Sequence, residues 1–230
     1  MGITKTDFMR GMQCPKMLWL DKHRPGLRVI PPEVQERLDA GNEFGDQAMG
    51  MFGPYEEMTV YRPGTRIPDK KKMAEKTAEH LRMGTPVICE AAFLYYNNYC
   101  AVDILRKTGT GYDFYEVKNS PEVHEQFIRD AGFQYYILTR AGLKIDRICI
   151  VTHGPGENPF CPVEITREAK SLYRWVNEHI WDLNRMQKQK EEIRTEPGPQ
   201  CLEPYGCWYY DYCHGTRKQE EQIRIGEYLF

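Results

Sequence analysis

Apolar and polar positions change period several times along the chain, and each change marks an element. Residues 4–22 place Phe8, Met12 and Leu18 to Leu20 behind a possible N-cap at Thr4, which predicts a helix. Pro15, directly after Cys14, predicts a break or a second helix start there. Val34, Leu38, Ala48 and Phe52 predict a second helix over 32–52, on which Gly41 and Gly45 lie four apart and would permit close backbone approach. Residues 56–61 read as a short strand. Residues 68–84, opened by Pro68 and closed at Gly84, read as a third helix with a solvated lysine run.

The middle of the chain alternates with period two. Residues 87–96, 99–107 and 112–119 predict three strands, joined by turns at Asn97-Asn98 and at Gly109 to Gly111. A helix over 121–141 follows, with Phe127, Ala131, Gln134 and Leu138 on one stripe, then a strand over 146–154 and a short strand candidate around Cys161. Leu172, Trp175, Val176, Ile180 and Leu183 predict a long helix over 166–194, ended by the PGPQ segment at 197–200. A polar tail with a short helix is expected beyond the last cysteine. This order of helices, meandering strands, helix, strand and helix predicts an α/β sandwich.

The 230 residues make one large domain or two small ones, and 41% apolar with 28% charged residues is an ordinary globular composition. The chain contains no run of eighteen apolar residues, so no membrane span is expected. It opens without the apolar core of a secretory signal, which leads to the expectation of a cytoplasmic protein. The net charge of -2 does not advertise a nucleic-acid partner, yet residues 1–30 hold Lys5, Arg10, Lys16, Lys22, Arg24 and Arg28 against only Asp7 and Asp21.

Charge inside the strands is the first chemical signal. Asp103 interrupts the apolar run A-V-D-I-L, and Glu116 and Lys118 stand two apart in Y-E-V-K. With period two they share a face while Val117 takes the other, and a hairpin can bring Asp103 beside them. Charged groups converge in a buried sheet when they pair with one another or bind a cation. As a cation site, Asp103 and Glu116 would offer hard oxygen ligands to Mg²⁺ or Mn²⁺, with the Val117 carbonyl as a third. Lys118 would position a water or stabilise developing negative charge, and Glu90 on the preceding strand could align a ligand or water. The alternative is a solvent-facing strand carrying a salt bridge.

Cysteine spacing is the second signal. Cys89, Cys100, Cys149 and Cys161 sit in strand-like runs and read as small core residues. Cys14, Cys201, Cys207 and Cys213 sit instead beside Pro, Gly and aromatic residues. Four thiolates suit a [4Fe–4S] cluster or zinc. The long spacings, with one remote ligand and no close C-x₂₋₄-C pair, favour the cluster, which would join the N-terminal and C-terminal ends.

Taken together, these residues resemble a known family. I-T-K-T-D-F-M-R-G-M-Q-C-P-K-M-L-W-L, G-N-E-F-G-D-Q-A, A-V-D-I-L, Y-E-V-K, F-Q-Y-Y-I-L and the closing cysteine trio resemble the RecB-like PD-(D/E)xK nucleases that carry an iron–sulfur cluster. The likeness is greatest to the CRISPR-associated Cas-four exonucleases and their stand-alone relatives. It implies a single RecB-like nuclease domain over 1–230 with a PD-(D/E)xK restriction-endonuclease-like core, a mixed sheet flanked by helices. It also implies a cluster-binding region made of 1–30 and 195–230. The implied activity is Mg²⁺- or Mn²⁺-dependent cleavage of DNA from single-stranded ends, in CRISPR spacer acquisition beside integrase proteins or in DNA repair.

The resemblance assigns catalysis to Asp103, Glu116, Lys118 and the helix residue Gln134, with Glu90 added from the strand pattern. An amide on the apolar stripe of 121–141 also requires a polar partner beneath it. The sequence departs from the family at two places. Gly45 stands where many members carry a metal-binding histidine, with Glu43 or Asp46 as substitutes. Leu138 stands where a tyrosine often follows the glutamine, so Tyr135 or Tyr136 would take that role. Lys16, Lys22 and Tyr136 are the expected DNA contacts, among N-terminal basic residues that could track phosphates. Tyr205, Trp208, Tyr209, Tyr210 and Tyr212 would shield the cluster or stack on bases. The rival expectation is a DNA-end-binding or partner-docking protein of the same fold without turnover.

Overall fold

The computed structural model of the protein describes residues 2–215. These residues form two compact units, 2–5 with 37–177 and 6–36 with 178–215.

The first unit is a mixed sheet with helices. Its strands are β1 (Glu56–Glu57), β2 (Val87–Tyr95), β3 (Asn98–Lys107), β4 (Tyr112–Val117), β5 (Ile145–His153) and β6 (Phe160–Glu164), ordered β1-β2-β3-β4-β5-β6. β2, β3 and β4 form an antiparallel meander, while β4 and β5 run parallel and therefore need a crossover. α5 (Glu125–Arg140) supplies it, burying Phe127, Ala131, Gln134 and Leu138, the stripe predicted from spacing. α4 (Lys70–Met83) packs on β2; Asp69 caps its first turn and Gly84, with φ of 74°, ends it. Cys89, Ile104, Tyr115, Val117, Cys149 and Val151 make a core with Ala48 and Met49 at the end of α3 (Pro32–Ala48).

Several expectations shift. The β2–β3 turn sits one residue earlier than predicted, on Tyr96 and Asn97 with φ of 46° and 67°. Of the strand expected over 56–61 only Glu56 and Glu57 pair as a strand. Only the end of the face expected on α3 is buried: Ala48 is the one buried residue of that helix, while Leu38 is 41% exposed. A Cβ at Gly41 or Gly45 would meet no atom within 4 Å, so no close approach explains these glycines. The long helix over 166–194 breaks at Leu172 into α6 (Thr166–Ser171) and α7 (Tyr173–Met186).

The second unit contains α2 (Pro15–His23), started by Pro15 as predicted, and α8 (Tyr210–His214). α1 (Lys5–Gln13) lies in it from Thr6 onward. Met17, Trp19, Leu20 and Tyr209 form its core, with Cys14, Leu27, Ile193, Cys207 and Tyr212 packed around them. The expected tail helix lies outside the described residues. Among the described residues no helix is long and apolar enough to cross a membrane.

Candidate functional site

Strand register brings the predicted carboxylates into one row. The β2–β3 register is the same on both sides of the Glu90–Asp103 position, so these two residues oppose each other. The β3–β4 pairing ends at Ile104↔Tyr115, and the next position across it is Asp103 beside Glu116. The row runs Glu90, Asp103, Glu116 over three adjacent strands, as the periodicity of the sequence suggests. Glu90 holds φ of 53° in mid-strand, a left-handed backbone that a non-glycine residue adopts at a cost of about 1–3 kcal/mol.

Glu116 is the centre of the cluster and is 1% exposed. Its Oε1 accepts from Lys118 Nζ at 2.7 Å and from Lys5 Nζ at 2.8 Å, and its Oε2 accepts from Gln134 Nε2 at 2.6 Å. Asp130 on α5 lies behind it: Oδ2 accepts from Lys118 Nζ at 2.6 Å and Oδ1 from Gln134 Nε2 at 3.2 Å. Asp103 Oδ2 accepts from the Val117 backbone N–H at 2.6 Å. Val117 itself packs into the core with Cys89 and Tyr115, away from the Glu116 carboxylate. Lys118 Nζ also stands 5.5 Å from the centre of the Phe127 ring.

The electrostatics follow from four carboxylates and two ammonium groups drawn largely out of water. Burial opposes the Glu116 charge, but Lys118 and Lys5 outweigh it and hold its pKa well below the usual carboxylate range. Burial, together with the charge of Glu116, raises Asp103 to about 6 against the opposing pull of Lys5 and Lys118. Burial is the main cause that raises Glu90 to about 8, with Asp103 adding to it. Burial would lower the two lysines, yet Asp130 and Glu116 overcome it and raise both. Lys118 is therefore cationic at neutral pH, which suits it to stabilise negative charge and not to accept a proton.

Gln134 is fully buried, and its donors are spent on Glu116 and Asp130 while its Oε1 has no hydrogen-bond partner. An orphaned buried acceptor asks for a donor that a bound water or hydrated cation would supply. Hard oxygens on Asp103 and Glu116, beside this acceptor, fit a divalent cation by donor chemistry. Among the described residues no group of three or more His, Cys, Asp or Glu side chains has the geometry of a metal-ion site; here the Glu116 oxygens are taken by N–H donors.

Lys5 and Asp130 were not part of the catalytic expectation. Asp130 had a local signal, since it lies one turn before Gln134 on the helix. Lys5 had none, because its place depends on pairing between distant segments. Gly45, where the family's histidine was expected, has open space around it.

The four cysteines singled out by their spacing line one small pocket of the second unit, with Lys16, Met17, Leu20, Pro197 and Tyr209. The Tyr209 backbone N–H points to Cys207 Sγ at 3.4 Å, and Met17 Sδ lies 3.8 Å from the same sulfur. Burial raises Cys207 to about 11, and the neighbouring Cys14, Cys213 and Cys201 thiols add to the effect. Burial also raises Cys213, and nearby Lys16 opposes it. By donor chemistry four thiols around one pocket suit a thiolate-bound cluster or zinc, although they do not form a group with the geometry of a metal-ion site.

The residues expected to contact DNA take part in other interactions in the structure. Lys16 pairs with Glu192 at 3.0 Å and Lys22 with Asp7 at 2.7 Å. Arg10 and Arg28 both pair with Asp21, and Arg24 with Glu192. Much of the positive charge in residues 1–30 is thus paired internally. Tyr136 is 1% exposed, donates its hydroxyl to Asn177 Oδ1 at 2.8 Å and packs against Tyr95 and Tyr173, so it has no free ring face for a base. Trp208 lies under the Arg10 guanidinium, 3.7 Å from the ring centre, and Tyr209 is buried.

No protein-family model matches the chain, and no curated protein matches it. Among solved structures, the crystal structure of SSO0001 is 13% identical, covering 94% of this chain and 87% of its own, with a TM-score of 0.44.

Proposed function

We propose that the protein is a metal-dependent deoxyribonuclease of the RecB-like PD-(D/E)xK kind, acting on single-stranded DNA ends. The observation that carries the reading is the buried network on Glu116, in which Lys118 and Gln134 converge beside Asp103. Asp103, Glu116 and the Val117 carbonyl would hold Mg²⁺ or Mn²⁺. When bound, the ion lowers the pKa of a water and neutralises charge on a phosphate. Lys118, kept cationic by Asp130 and Glu116, stabilises charge on the scissile phosphate. Gln134 fixes the Glu116 carboxylate and leaves its own oxygen for a water. Cys14, Cys201, Cys207 and Cys213 would hold a [4Fe–4S] cluster, with zinc as the other candidate for the same four thiols.

The resemblance offers two settings for such an activity: CRISPR spacer acquisition, with integrase proteins as partners, and DNA repair. The test is hydrolysis of end-labelled single strands with Mn²⁺, Mg²⁺ or EDTA. Cleavage is expected only with metal, and Asp103→Asn, Glu116→Gln and Lys118→Met should each reduce it by at least about a hundredfold. Cleavage by Asp103→Asn at the full rate would place the chemistry elsewhere.

Two observations favour a second reading. Gly45 leaves open space where the family's histidine would stand, and Lys5 occupies an oxygen of Glu116. A DNA-end-binding protein without turnover would bind the labelled strand in the same assay and release it intact.

A further inference from the structure

Lys5 reaches the carboxylate row because β3 has a vacant edge. β4 pairs with β3 only from Ile104 to Lys107, which leaves the first half of β3 without a partner on that side. Residues 3 and 4 fill the gap: Thr4 bridges Tyr99 in parallel, the Tyr99 N–H donates to the Ile3 carbonyl at 2.9 Å, and the Ile3 N–H donates to Asn98 Oδ1 at 2.8 Å. The next residue is Lys5, and its ammonium enters where β3 and β4 part.

The two lysines on Glu116 Oε1 are not equivalent. Lys118 has a second carboxylate to hold it, Asp130 Oδ2, at 2.6 Å. Glu116 is the carboxylate to which Lys5 donates a hydrogen bond; Asp130 and Asp103 attract it through space. Its side chain is 27% exposed, against 20% for Lys118. A divalent cation that takes Glu116 Oε1 must displace an ammonium from it. Lys118 keeps its place on Asp130, and Lys5 is the group set free.

On the reading of this row as a divalent-cation site, we propose that Lys5 is its exchangeable counter-cation: it neutralises Glu116 when no metal is bound, and once displaced it pairs with a phosphate of the bound strand. Lys5 is thus a positioning residue for substrate, distinct in role from Lys118.

The test measures Mn²⁺ binding without DNA, by the electron paramagnetic resonance signal of free Mn²⁺, and then strand binding in Ca²⁺. The proteins are wild type, Lys5→Met, Lys5→Gln, which keeps a donor without the charge, and Asp103→Asn. Removing a competing positive charge beside the ion should tighten Mn²⁺ binding by about three- to tenfold in both Lys5 variants. Single-strand affinity should fall in both, and the salt dependence should lose about one unit of slope. Unchanged or weaker Mn²⁺ binding in Lys5→Gln, or an unchanged salt slope, overturns the proposal. If Asp103→Asn loses Mn²⁺ while both Lys5 variants bind as wild type, the metal site stands and only the role of Lys5 fails. If wild type binds no Mn²⁺, both readings fall.

Discussion

At the scale of single residues, Glu90 shows how much strain and charge the row holds. Its left-handed φ of 53° interrupts β2 opposite Asp103, and its carboxyl is held protonated up to about 8. An acid whose folded pKa lies above its unfolded value stabilises the fold most when both states are protonated. From about pH 4.5 upward the unfolded chain releases its proton while the folded chain retains it, so stability declines until the folded group also ionises near pH 8. Glu90→Gln mimics the protonated acid at every pH. In EDTA its melting temperature should match wild type at pH 4.5 and exceed it increasingly towards pH 8, by an amount equivalent to about 1–3 kcal/mol after allowance for solvent screening. A constant difference across that range would mean that Glu90 does not titrate as placed. Asp103, Glu116, Lys118 and Gln134 were legible in the sequence because each breaks an apolar pattern at a position that should be buried. The backbone of Glu90 was not, since no neighbour in sequence encodes a left-handed residue within a strand. Nor was the pairing of Lys16 and Lys22, whose partners Glu192 and Asp7 are set by folding.

At the scale of elements, β2 to β5, α4 and α5 followed from period and punctuation, because each has a buried face and is bounded by turn or cap residues. The helix α3 followed too, but most of its expected core face did not: its apolar positions are spaced like one, yet Leu38 stays exposed and the sheet uses only the end of the helix. The element that no local pattern announced is the short segment 2–5 on the edge of β3. Its attachment makes a specific claim about Asn98, which is 6% exposed and accepts the Ile3 N–H. Asn98→Ala leaves that buried N–H without its acceptor and should lower stability by about 1–3 kcal/mol in chemical unfolding. Asn97→Gly, one residue earlier in a turn with φ of 67°, should be neutral or slightly stabilising, because glycine adopts that conformation without strain. Equal effects of the two substitutions would show that the loss at Asn98 reflects the turn and not the docking of the N-terminal segment.

At the scale of the whole molecule, the two candidate sites fall in different units. The carboxylate row lies in the unit of residues 2–5 and 37–177, and the thiol pocket in the unit of 6–36 and 178–215. The sequence indicated that Cys14 joins the closing trio, because four cysteines outside the strands have few other uses. The unit boundaries were not legible, since they fall inside α1, α3 and α7, where no linker composition marks them. If the thiols bind a cluster or zinc, the binding energy belongs to the fold of their own unit, because a preformed site does not exist in the unfolded chain. Cys207 is the ligand candidate with the most evident local support, an N–H on its sulfur and Met17 against it. Cys207→Ala should lower iron or zinc per chain in anaerobically purified protein. It should also speed amide exchange in 6–36 and 178–215, while β2 to β5 keep their protection. Asp103→Ala should leave the metal content of the thiol site and exchange in both units as in wild type, and on the proposed nuclease reading it should lose only Mn²⁺ binding to the carboxylate row and cleavage. Cys207→Ala protein with wild-type metal content and wild-type exchange in 178–215 would show that the thiols do not staple their unit. Loss of protection across β2 to β5 in that variant would show that the units do not hold their stability separately.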